Sequence, residues 1–213
     1  GPRDGEVVVM LHGNPSWSFY WRHLVTGLRD KYRCIVPDHV GMGLSDRPDD
    51  AKYTYTLQSR IDDLDALLAH LGIDGPVTLA VHDWGGMIGF GWALRDPARV
   101  KRLVITNTAA FPLPQAKRFP KRLAMGRDSR LGGWLIRRFN LFARGAAWFG
   151  TERSLPKPVR DAYAGVYDGW DNAISTLRFM QDIPLHEGDR AWPLLKAAEA
   201  ALPGYHDRPA FIG

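Results

Sequence analysis

The chain of 213 residues has a single cysteine, Cys34, so no internal disulfide can form and it does not read as a secreted, cross-linked scaffold. No signal-peptide pattern and no apolar run of about 20 residues is found in the sequence, so the expectation is a soluble, cytoplasmic protein. It shows no cluster of metal-ligand residues and no phosphate-cradling loop, and no cofactor is expected. The G-x-G of Gly41 and Gly43 has Asp46 where a third glycine would be needed, which argues against a dinucleotide-binding turn. Acids are scarce in one stretch. Between Pro112 and Arg160, twelve Lys and Arg residues face only Asp128 and Glu152, a local +10 in a chain of net +5, so the remainder is net −5. Such a block suits an anionic partner, a partner enzyme or a membrane surface, but a solvated helical face is the preferred reading. No nucleic-acid motif accompanies it.

What is present is an alternation of strand and helix patterns. Val7 to Leu11 is an apolar run that ends at His12-Gly13-Asn14-Pro15. Trp17, Trp21, Leu24 and Leu28 recur at helical spacing, Tyr32 to Val36 is strand-like, and Leu57, Ile61, Leu64, Leu68 and Leu71 mark an amphipathic helix. Pro76 to Val81, a helix opening at Gly85, and Arg102 to Thr106 continue the rhythm. This predicts a mostly parallel sheet with helices on both faces, an α/β class. Residues 1–111 are expected to form this core, 112–203 an inserted helical cap, and 204–213 the start of a returning strand from Arg208. Cap helices are predicted near Leu131 to Phe149, Lys157 to Tyr167, Asp171 to Met180 and Trp192 to Ala201.

The stretch Thr78 to Gly86 runs strand, tight turn, helix, and Asp83 stands in the turn. A strand turning sharply into a helix lifts one side chain into the crevice at the strands' carboxyl ends. A serine there needs a base before it can attack. An aspartate, with a reference pKa of about 3.9, is ionised at neutral pH and can attack by itself. It would form an ester at an sp³ carbon bearing a leaving group, or at a strained ring. The alternative reading is an N-cap for the next helix. Asn14 lies at the same carboxyl edge and is a candidate to face the same crevice.

His12 to Arg22, then Pro37-Asp38 through Ser45-Asp46, then His82-Asp83-Trp84-Gly85-Gly86 resemble haloalkane dehalogenases of the α/β-hydrolase fold. Asn107 to Pro112 bring the chain nearest to the dehalogenase-like β-lactone decarboxylases of bacterial long-chain olefin biosynthesis. The resemblance implies that Asp83 is the nucleophile and that Trp84 and Asn14 hold the departing anion. Both are neutral donors, able to bind an anion beside an ionised Asp. It implies a hydrophobic small-molecule substrate: a β-lactone, otherwise a haloalkane, otherwise an epoxide. The last would need cap tyrosines such as Tyr163 or Tyr167 to face the substrate. Whether Asp83 attacks the ring carbon or the carbonyl stays open at this point. His82 and His12 read as supports of their turns, and His39 carries no assigned role.

The family also uses a histidine base held by an acid, and this sequence offers neither in the expected place. His186 and His206 precede the last strand, and Asn107 stands where one dehalogenase branch has its acid. The chain is therefore expected to be part of an enzyme of about 300 residues, with feeble turnover by itself. A catalytically incomplete binding or interaction module is the alternative from another class.

Overall fold

The computed structural model describes residues 1–114 and 117–213. Residues 115 and 116 of the expected cap lie outside the described residues. In chain order the elements are β1 (Glu6–Leu11), α1 (Arg22–Leu28), β2 (Tyr32–Ile35), α2 (Leu57–His70), β3 (Val77–His82), α3 (Trp84–Ala93) and β4 (Val100–Thr106). Six helices follow, α4 (Lys121–Asp128), α5 (Arg130–Phe139), α6 (Leu141–Phe149), α7 (Lys157–Gly165), α8 (Ile174–Gln181) and α9 (Trp192–Ala201), before β5 (Ala210–Ile212).

The strands form one parallel sheet in the order β2-β1-β3-β4-β5. This is the parallel sheet with helices on both faces that the alternating pattern predicts. Because side chains alternate along a strand, each strand serves two layers. Val9, Leu11, Leu79 and Val81 pack with residues of α2, α3 and α9, whereas Val8, Met10 and Ala80 pack with Trp21, Leu24, Val25 and Leu28 on the other face. Strands buried on both sides read as continuous apolar runs, which is why Val7-Val8-Val9 carries no alternation. The chain winds in opposite directions from β1 and β3, so a crevice opens between their carboxyl ends. Asn14 follows β1 and Asp83 follows β3.

The helical segment after β4 departs from its sequence pattern in two places. One helix was expected over Leu131 to Phe149, but α5 and α6 are separate, broken at Asn140 with φ 51° and ψ 38°. Asparagine tolerates this left-handed conformation. Its amide holds it there, donating to the carbonyl of Ala164 at 2.8 Å and to Asp168 at 3.1 Å. Helix α4 carries too weak an apolar periodicity to be marked from sequence. Helix α9, within the stretch expected as cap, packs on α3.

The inner helices α7 and α8 are tied to the core by polar contacts. Trp17 Nε1 donates to Ala162 O at 3.1 Å, and Ser175 Oγ donates to Val40 O at 3.2 Å. Asp182 accepts from the Leu57 N–H at 2.5 Å. Helices α4, α5 and α6 form an outer tier, with α4 and α5 resting on α8.

Candidate active site

Asp83 stands between β3 and α3 with φ 51° and ψ −125°, the sharp backbone of an elbow. It occupies the N-cap position, yet its side chain makes no capping bond to the helix. The carboxylate turns toward the crevice instead. Oδ1 accepts the backbone N–H of Asn14 at 2.7 Å, and the Trp84 backbone N–H also favours its ionised form. Burial raises its pKa above the ordinary carboxylate value against these two donors. The turn is pinned from behind. Asp83 N–H donates to Asn107 O at 3.2 Å, and the Thr108 hydroxyl donates to the Asp83 carbonyl. Gly13 is required by close approach, since a side chain there would collide with the carboxylate of Asp83.

The His12 loop positions the Asn14 N–H. His12 is fully buried; its Nδ1 bonds the Gly13 carbonyl at 2.9 Å, and its Nε2 accepts the His39 backbone N–H at 3.2 Å. An acceptor at Nε2 requires the neutral ring, and burial lowers the His12 pKa to about 4. The approach of Asp38 to 3.8 Å is therefore not an ion pair at neutral pH. Asp38 instead accepts the backbone N–H groups of Ser18 at 2.6 Å and Leu44 at 2.9 Å, fastening two loops. His39 is also held neutral by burial, its Nε2 at 3.0 Å from the His12 carbonyl.

Two cavities meet at Asp83 and Asn107. The first, about 530 Å³, is bordered by Trp84, Met87, Phe111, Ile183 and Leu195 among others. The second, about 560 Å³, is bordered by Asn14, Tyr20, His82, Ala143, Ala147 and Tyr163 among others. Trp84 thus faces one cavity and Asn14 the other, with Asp83 between them. The Asn14 amide NH₂ donates to Thr176 O at 2.9 Å, which leaves its second N–H for a ligand, while its Oδ1 is buried without a partner among the described residues.

Tyr163 borders the second cavity, its hydroxyl accepting from Arg22 at 3.1 Å. Tyr167 borders neither. It is fully buried and donates to Ser16 O at 2.9 Å, so it fastens the segment after α7 to the His12 loop. His82 is the only histidine among the described residues bordering either cavity. It stacks on Tyr20 at 4.1 Å, and burial lowers its pKa. His186 and His206 are exposed and border neither cavity. Asn107 sits at the carboxyl end of β4 with φ 37°.

Sequence reasoning missed several parts of this arrangement. The backbone donors of Asn14 and Trp84 carry no side-chain signal. Thr176 and Thr108 lie 162 and 25 residues from the groups they bind. Arg60 is also unmarked. It is 1% exposed, with its guanidinium 3.6 Å from the ring centre of Phe179 and 5.8 Å from that of Trp84.

Residues 6–134 match the model of the alpha/beta hydrolase fold family. The chain is 68% identical to a cis-3-alkyl-4-alkyloxetan-2-one decarboxylase of Xanthomonas campestris pv. campestris, an alignment covering 100% of this chain and 72% of that protein. A decarboxylase of the same name from Shewanella oneidensis is 54% identical, with 98% of this chain and 66% of that one covered. The chain thus spans about two thirds to three quarters of these relatives, in keeping with the expectation of a longer enzyme. Among solved structures, the haloalkane dehalogenase DbeA of Bradyrhizobium elkani superposes with a TM-score of 0.86 at 29% identity, covering 100% of this chain and 74% of that one.

Proposed function

We propose, from the premise that this chain belongs to the α/β-hydrolase fold family, that it carries the nucleophile half of a cytoplasmic β-lactone decarboxylase acting on a dialkyl oxetan-2-one. The observation that supports this most directly is the Asp83 carboxylate, free of any capping role and aimed between two cavities of about 530 and 560 Å³. A ring carrying two alkyl substituents needs two apolar spaces meeting at the reacting carbon, and the two relatives named above act on such a ring by their names.

In the proposed reaction an oxygen of Asp83 attacks the ring carbon that bears the ring oxygen. The C–O bond breaks, and an alkyl ester of Asp83 and a free carboxylate result. The C–CO2 bond then breaks, its electron pair forms the C=C bond, and the Asp83 carboxylate departs. Olefin and CO2 leave, and no water is consumed. Trp84 and the second N–H of Asn14 are proposed to stabilise the carboxylate as it is released, as preorganised neutral donors. The Asn14 and Trp84 backbone N–H groups orient the attacking carboxylate. Tyr163 is proposed to contact the substrate from the cap.

Hydrolysis of a haloalkane would use the same attack, and the similarity to DbeA keeps it as the second reading. Incubation of the purified chain with a cis-3,4-dialkyl oxetan-2-one and, separately, with a 1-haloalkane distinguishes them. Intact mass spectrometry and headspace olefin analysis are the readouts. The expected result is an Asp83 ester or olefin from the lactone, absent in Asp83→Asn. An adduct from the haloalkane alone would favour dehalogenation, and none from either in folded chain would overturn the nucleophile assignment.

A further inference from the structure

We propose that the outer tier of the cap, helices α4, α5 and α6, docks on an anionic lipid surface. The fold does not account for what this face carries. Helix α5 buries Gly132, Gly133 and Ile136 inward, yet presents Leu131 and Trp134 outward, with Phe139 against Trp134 at 5.6 Å between ring centres. Helix α6 buries Ala143 and Ala147 and presents Leu141 and Trp148 outward. Phe149 beside them is 85% exposed. A surface helix ordinarily turns polar side chains outward, so an outward row of Leu, Trp and Phe has no role in holding this core.

The charge on the same face is predominantly positive. Asp128 is the only acid from Pro112 to Phe149. Arg127 pairs with Asp128 and Asp189, Arg137 with Asp171 and Arg144 with Asp168. Lys121, Arg122, Arg130 and Arg138 are exposed and lack an acidic partner among the described residues. Unpaired cations interleaved with Trp, Phe and Leu match a bilayer interface, where anionic headgroups meet the cations and the rings enter the headgroup boundary. An acidic protein would satisfy the cations but would not require so many protruding rings.

The same helix connects this surface to the candidate site. The inner side of α6, at Ala143, Ala146 and Ala147, borders the second cavity beside Asp83, and its outer side is the docking face. One helix diameter, about 10 Å, separates the cavity from the lipid. The inference rests on the surface alone and stands whichever substrate Asp83 takes.

The test is co-flotation of the chain with vesicles of phosphatidylcholine and phosphatidylglycerol in equal parts, and with vesicles of phosphatidylcholine alone. The chain is expected to float with the anionic vesicles and to be released by high salt. With about 1 kcal/mol per surface cation, each charge removed weakens binding about fivefold, so Arg122→Gln, Arg130→Gln and Arg138→Gln together weaken it about a hundredfold. Trp148→Ala with Phe149→Ala is expected to weaken it further. Arg3→Gln with Arg29→Gln, exposed on the core, serves as the control and should leave it unchanged. Circular dichroism confirms folding of each variant. Failure of folded chain to bind anionic vesicles overturns the proposal. So does equal weakening by the core control, or concentration-dependent self-association that the cap variants abolish in the absence of lipid.

Discussion

Helices α3 and α6 each wall one of the cavities at Asp83, and they do so under opposite constraints. In α3, every residue from Trp84 to Ala93 except Met87 is buried, with Gly85 so close to β1 that any side chain would strike the Leu11 carbonyl. In α6 only Ala143 and Ala147 are buried, and the rest of the helix faces outward or partly so. The floor of the site is therefore fixed on all sides by close packing, where a change of one methylene is felt. The roof is fixed on one side only, and its other side is open to carry a different task. Precision in this molecule resides in the floor and adaptability in the outer tier of helices α4, α5 and α6.

The largest test of that contrast is Asp83→Asn. Loss of the proposed nucleophile should reduce ester or olefin formation by about 10³-fold or more, by analogy with removal of a catalytic triad member. The fold should survive, because Asn accepts a positive φ and keeps an acceptor for the Asn14 N–H. It should even gain stability at neutral pH. The folded pKa of Asp83 is raised by burial, so the native state binds this proton more tightly than the unfolded chain, and stability falls as pH rises through the interval between the two values. Asn removes that penalty, and thermal melts at pH 7 should show a higher Tm. The rate of ester formation should climb with pH through a titration above the ordinary Asp value.

Next in size is Arg60→Ala. This buried cation stands 3.7 Å from Asp182, and burial lowers its pKa to about 10, so it remains charged at neutral pH. Its guanidinium nitrogens lack hydrogen-bond partners among the described residues, and the guanidinium lies over the face of Phe179. Removing it leaves the partly buried Asp182 without its counter-ion and with the Leu57 N–H as its hydrogen-bond donor, a change that costs about 3 kcal/mol, the lower end for a broken buried pair. Urea denaturation should show this loss, and Arg60→Met with Asp182→Asn should recover much of it. A smaller effect comes from pH. The unfolded His12 takes up a proton near its reference value of 6.5, whereas the folded residue does so only at about 4. Stability should therefore be fully present above the unfolded value and decline as pH falls toward the folded one. By pH 4 the loss should approach about 3 kcal/mol from this residue, with His39 adding in the same direction. Denaturant midpoints at pH 7 and pH 5 measure it.

The floor was legible because its residues act locally. An apolar run, a turn and a glycine-rich helix start within a few positions place Asp83, and His12-Gly13-Asn14 lies directly after a strand that pairs with its own. The partners that tune the site were not legible. Thr176 reaches Asn14 through its backbone carbonyl, and the donors at Asp83 are backbone N–H groups, for which any residue type would serve. Arg60 looked like one polar position on an amphipathic helix, and only the packing of α8 over α2 makes it a buried cation. The basic stretch was visible as composition, yet its division into paired and unpaired cations depends on Asp168 and Asp171, between α7 and α8, and on Asp189 beyond α8. Tyr163 and Tyr167, four positions apart on paper, separate because one faces the cavity and the other anchors the loop.

The smallest predicted effect falls on the joint between α5 and α6. Asn140→Ala loses the two side-chain bonds to Ala164 and Asp168 and forces alanine into a left-handed conformation. Together these should cost about 2 kcal/mol, whereas Asn140→Gly keeps the backbone freedom and should cost about 1 kcal/mol. If the outer tier opens as a unit separate from the floor, hydrogen exchange should quicken in α4, α5 and α6 while the amides of α3 keep their protection. Uniform acceleration in both regions would mean that floor and roof unfold together, and the contrast between α3 and α6 would then be one of exposure without independence.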